Sequence, residues 1–184
     1  MAIIEQLNQF LKKKTLLFGE VNSGKTGKTL EILDMFLQDG QGPDIIVLDL
    51  APERVDKVGG KMKVPSYFNG IYLTDSISAP RKSGKNERQI QDLARKNAAI
   101  IEFLFSKALS QPQEILFIND ATLYFQAGDF TTFSTFLEKF STVIINAYYG
   151  KSFLDCQLSR REKKWTKVLI KMVDRSINVI DHVI

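Results

Sequence analysis

Eight consecutive residues, Gly19-Glu20-Val21-Asn22-Ser23-Gly24-Lys25-Thr26, constrain this chain more than any other stretch. They place a glycine, four free positions and then Gly-Lys-Thr in the spacing of a phosphate-cradling loop. A chance match in a chain of 184 residues is on the order of one in a hundred, so the pattern counts as a signal. Its context strengthens it. The apolar run Thr15 to Phe18 precedes the loop as a short strand, and Lys25 to Gln38 follows with Leu30, Leu33, Met35, Phe36 and Leu37 on a wide apolar helical face. Glycines at 19 and 24 let the main chain bend around an anion so that successive N–H groups point inward, and the N-terminal end of the helix adds its positive dipole. That dipole contributes only about 0.3 to 2 kcal/mol, against about 8 kcal/mol for micromolar binding, so the Lys25 ammonium and several N–H donors must share the load. A second Gly27-Lys28-Thr29 follows at once, but the residue five before Gly27 is Asn22, so the first lysine is the better fit.

The rest of the chain alternates buried strands with helices. Ile3, Ile4, Leu7, Phe10 and Leu11 predict a leading amphipathic helix over about residues 1–14. Asp44 to Leu50 and Gln113 to Asn119 are unbroken apolar runs of strand length, as is Thr142 to Ala147. Ala51 to Asn69 reads as a long connection, Gly70 to Thr74 as a short strand, and the polar Ser78 to Arg88 as an exposed loop. Gln89 to Leu109 carries a long helical pattern and Phe130 to Phe140 a shorter one, while Lys167 to Val173 and Ser176 to Ile180 read as closing strands. Such alternation implies βαβ crossovers: a mainly parallel sheet in a three-layer α/β/α sandwich, as one domain over 1–184.

Composition removes other chemistries. One cysteine, Cys156, and one histidine, His182, cannot build a disulfide framework, a zinc finger or a Ser-His-Asp triad. The charge of +4 is too modest to name a partner. Polar residues interrupt the N-terminal apolar stretch and no run reaches membrane-spanning length, so the expected setting is soluble and cytoplasmic, with no membrane partner.

The loop resembles the Walker A motif of P-loop NTPases. The resemblance covers the loop and the strand and helix order around it. It implies a nucleoside triphosphate site at the carboxyl ends of parallel strands, formed by Gly19, Glu20, Val21, Asn22, Ser23, Gly24, Lys25, Thr26 and Gly27, with Thr26 offering its hydroxyl to Mg²⁺. Gly27 departs from the Ser or Thr often found there, which removes one side-chain contact to the α-phosphate. The resemblance also implies a second motif, an apolar strand ending in aspartate. Asp49 and Asp120 both qualify. The order of elements in RecA-like relatives favours Asp120 as the Mg²⁺ partner, and the same likeness offers Glu53, just after the second strand, as the base that activates water. Ala121 follows Asp120, so the Asp-Glu pair of many such ATPases is missing. Asn146 ends its strand as a candidate γ-phosphate sensor, and Arg81 and Arg88, with Lys82 and Lys85, are candidate lid residues. The reaction expected first is Mg²⁺-dependent ATP hydrolysis; transfer to a small molecule or nucleotide, and nucleotide binding without turnover, are the alternatives. The resemblance implies ATP over GTP, from the abundance of adenine users among such proteins, with the absence of an Asn/Thr-Lys-x-Asp guanine-reading segment in support. Arg160, Arg161, Lys163, Lys164 and Lys167 around Trp165 form a second basic cluster suited to single-stranded nucleic acid. An arginine acting in trans would require a homo-oligomer.

Overall fold

Strict two-residue alternation along the strands decides the layering. In a computed structural model that describes residues 2–53, 60–153 and 155–180, the strands are β1 (Lys14–Gly19), β2 (Ile45–Asp49), β3 (Ile71–Thr74), β4 (Ile115–Asn119), β5 (Thr142–Tyr148) and β6 (Arg175–Asn178). Leu16, Ile46, Leu48, Leu116, Ile118, Val143 and Ile145 face one hydrophobic core. Their neighbours Leu17, Ile45, Val47, Ile115, Phe117 and Ile144 face another. Both sides of the sheet are therefore buried, which is what near-continuous apolar strands require.

The six strands form one parallel sheet in the order β3-β2-β4-β5-β1-β6. Helix α1 (Ala2–Leu7) and helix α2 (Lys25–Gln38) cover one face, through Leu7, Ile32, Leu33 and Phe36. The other face is covered by α4 (Glu87–Leu109), the short α5 (Thr122–Phe125), α6 (Phe130–Leu137) and α7 (Gln157–Met172). The short α3 (Pro80–Ser83) precedes α4. This α/β architecture is compatible with a three-layer sandwich. Right-handed crossovers account for the division of helices. From β1 to β2 and on to β3 the chain moves in one direction across the sheet, with α2 on the first face; the crossovers from β3 to β4, β5 and β6 run the opposite way, with their helices on the second. Turns from β1 and from its neighbour β5 thus diverge, opening a crevice at the carboxyl ends.

Three expectations need correction. The leading helix ends at Leu7 rather than near residue 14, although Phe10 is still buried beyond it. The stretch from Ser78 is not simply an exposed loop: Pro80 is buried, and Asn97 of α4 holds Ser78 through its backbone N–H and hydroxyl, at 3.0 and 2.9 Å. Residues 167–173 are not a strand, since α7 runs through Met172. Its buried stripe is Leu158, Glu162, Thr166 and Leu169, and two polar members on that stripe conceal the helical period. No helix among the described residues is long and apolar enough to cross a membrane.

Candidate functional site

A cleft of about 880 Å³ lies at the carboxyl ends of β1, β4 and β5, a size usual for ligand sites. Residues 21–27 form one wall, Asn119, Asp120 and Asn146 the floor, and Arg81, Gln126, Phe153 and Glu162 the far side.

The loop is closed by backbone features that the sequence demands. Gly24 caps α2 with φ +83°, in the left-handed region where glycine carries no steric cost. Gly19 is required by proximity: a Cβ there would collide with the carbonyl oxygen of Val179. Asn22, at φ +61°, is of a type that tolerates this conformation. Lys25 turns its ammonium onto its own loop, donating to the Glu20 carbonyl oxygen and to Ser23 Oγ at 3.4 Å. Burial lowers the Lys25 pKa, opposed by the negative charges of Asp120 and Glu20. The second Gly-Lys-Thr stands in different surroundings. Lys28 is exposed and pairs with Glu31 at 2.6 Å, whereas Thr29 is buried and donates to the Lys25 carbonyl at 2.9 Å.

The two aspartates stand in different environments. Asp49 is buried and walled from the cleft, accepting from Ala51 N–H, Met62 N–H, Tyr72 O–H and Asn119 Nδ2. Its carboxylate is saturated by the fold. Asp120 keeps part of its surface on the cleft, and its φ of +60° lies in the left-handed region that Asp, like Asn, tolerates. Loss of hydration raises its pKa, and a hydrogen bond from Thr122 and the charges of Lys25 and Arg81 oppose that rise.

Asn119, to which sequence reasoning assigned no role, joins these groups. Its Oδ1 accepts from Thr26 Oγ1 at 3.2 Å and from Asn146 Nδ2 at 2.9 Å, while its Nδ2 donates to Asp49 at 2.8 Å. Asn146 also donates to Thr29 Oγ1 at 2.9 Å and accepts from the Asp120 N–H at 2.8 Å. It thereby holds the main chain of Asp120 in place.

Other expected residues separate. Arg81 lines the cleft, stacked 4.1 Å over Phe153 and bonded to Glu162 at 2.8 Å; Arg88 is exposed on α4 outside the cleft wall. Glu53 is exposed and likewise not part of that wall. In the second basic cluster, Trp165 is stacked on Phe130 at 4.7 Å and Arg161 donates to the Gly128 carbonyl, so both face inward, while Lys163, Lys164 and Lys167 are exposed. His182 lies outside the described residues. Glu162 and Gln126 were missed. The signal for Glu162 was present: it is the one acid in Arg160-Arg161-Glu162-Lys163-Lys164, on the helical face of Leu158 and Leu169.

Compared with models of known protein families and with curated proteins, the chain matches none.

Proposed function

We propose that the chain is a P-loop protein that binds a Mg²⁺-nucleoside triphosphate, ATP first, and hydrolyses it. The observation that carries this reading is convergence: the N–H-rich loop, the Lys25 ammonium, the Thr26 hydroxyl and the Asp120 carboxylate all border one cleft at the carboxyl ends of a parallel sheet. Loop N–H groups and Lys25 bind the phosphates; Lys25 exchanges its present bonds to Glu20 and Ser23 for phosphate oxygens. The donor set suits Mg²⁺, a hard cation that takes oxygen ligands and usually few from protein. Thr26 and Asp120 would hold it, and when bound it offsets negative charge on the phosphates. Asn119 and Asn146 keep Thr26 and Asp120 in register with each other.

Calorimetric titration with Mg·ATP tests the site. Wild-type chain is expected to bind, and Lys25→Ala to lose at least about a hundredfold in affinity, or about 2.7 kcal/mol, with its unfolding transition preserved. Equal affinity in the two proteins would remove the loop from the site. A second reading, phosphoryl transfer to a small molecule, is favoured by the far half of the cleft, where Ile90, Leu123 and Phe153 supply apolar walls beyond the loop. Release of free phosphate in the absence of any acceptor favours hydrolysis.

A further inference from the structure

Among the described acidic residues, two wall the cleft: Asp120 and Glu162. Asp120 sits beside the loop. Glu162 reaches the cleft from α7 and is 1% exposed. Its Oε2 accepts from Arg81 at 2.8 Å and its Oε1 from Gln126 Nε2 at 2.6 Å. An ionised carboxylate offers about four lone-pair directions, so both oxygens retain capacity to accept from a further donor. The supports are themselves fixed: Arg81 lies over Phe153, which meets Tyr148 edge-on at 4.8 Å. Gln126 is 4% exposed, and its Oε1 has no protein partner. A second unfilled acceptor therefore stands beside the carboxylate. Buried ion pairs add little stability compared with apolar packing, so stability alone does not explain this one. Glu162 and its partners Arg81 and Gln126 border the same cleft as the loop and Asp120, on the side facing the loop wall.

We infer that Glu162 orients and deprotonates the attacking water, held for that task by Arg81 and Gln126; this rests on the triphosphate-binding reading above. The water oxygen bonds to the γ-phosphorus as the bond from that phosphorus to the β,γ-bridging oxygen breaks. The electron pair leaves with the nucleoside diphosphate, and the proton of water passes to Glu162 and on to solvent. Glu53, exposed and outside the cleft wall, takes no part.

The test uses the full chain, with Mg·ATP titration beside steady-state phosphate release. Glu162→Gln is expected to bind Mg·ATP within about threefold of wild type while kcat falls about a hundredfold or more, the usual worth of a general base. Glu162→Asp recovers part of the rate, and Glu53→Gln keeps it. A merely structural role would disturb binding and turnover together rather than kcat alone. Should Glu162→Gln not fold, a variant carrying both Arg81→Met and Glu162→Gln removes the pair as a unit, and the same loss of kcat with retained binding is expected. Turnover within about threefold of wild type in a folded Glu162 variant overturns the inference and leaves nucleotide binding standing, as does wild-type binding without phosphate release. Absence of Mg·ATP binding by wild-type chain overturns the underlying reading instead, and the inference with it.

Discussion

A carboxylate enclosed as Glu162 is holds its proton more tightly than one in water. Burial raises its pKa above the ordinary glutamate value of 4.5, against the opposing charge and hydrogen bond of Arg81 and the hydrogen bond of Gln126. The folded chain therefore binds this proton more strongly than the unfolded chain does. Linkage fixes the sign: the stabilisation is fully present below about pH 4.5 and is lost as pH rises through the folded-state value. Urea unfolding from pH 4 upward is expected to show wild type losing stability relative to Glu162→Gln, which lacks the titrating group; parallel curves would mean that the proton is held no differently in the two states. At this scale the sequence was most legible where one residue type has one use. The spacing of Gly24, Lys25 and Thr26 placed them at the start of a helix after a short strand, and there they lie, on the cleft. Asn119 could not be placed in this way, because its value comes from touching Thr26, Asn146 and Asp49, which lie 93, 27 and 70 residues away. Asp49 and Asp120 likewise differ only in what tertiary structure puts around them, four donors for one and a cleft for the other.

Elements were readable in proportion to how completely apolar residues define their buried face. Strands β2, β4 and β5 are buried on both sides and appear in the sequence as unbroken apolar runs. Helix α7 appears instead as a charged segment because its inward stripe contains Glu162 and Thr166. The polar residues that hid the element belong to its inward surface, and the same burial brings Glu162 to the cleft. In α2 the two glycines at the start of the helix make contrary demands. Gly24 needs a positive φ that a side chain resists, although the space around it is open, so Gly24→Ala is expected to cost about 1 to 2 kcal/mol and to weaken nucleotide binding. Gly27 is inside the helix, and a Cβ there meets nothing within 4 Å. Gly27→Ala is accordingly expected to add up to about 1 kcal/mol, from helix propensity alone. Chemical denaturation of the two variants checks both signs, and a stabilised Gly24→Ala would show that the loop does not keep its left-handed turn.

Across the whole molecule, the cleft is assembled from distant parts of the chain: the β1–α2 loop, the ends of β4 and β5, α3 before α4, α5, and the first turns of α7. None of these pieces encloses the space alone. The strands beneath are joined in register, Leu16 opposite Ile145 and Ile118 opposite the same residue on its other side, so the loop and the floor move only with the sheet. A ligand that needs the complete cleft must bind the folded chain and not the unfolded one, and its affinity then appears as global stability. Nucleotide at a hundred times its dissociation constant contributes about 2.7 kcal/mol by mass action. For a chain of this length each kcal/mol raises the melting temperature by about 2 to 4 °C, so Mg·ATP at that concentration is expected to raise it by about 5 to 11 °C. Lys25→Ala at the same nucleotide concentration is expected to show almost none of this rise. Differential scanning calorimetry with and without Mg·ATP measures both. A wild-type transition that stays in place although titration shows binding would mean that the nucleotide contacts a locally ordered segment which survives unfolding, and that the cleft is not the unit that recognises it.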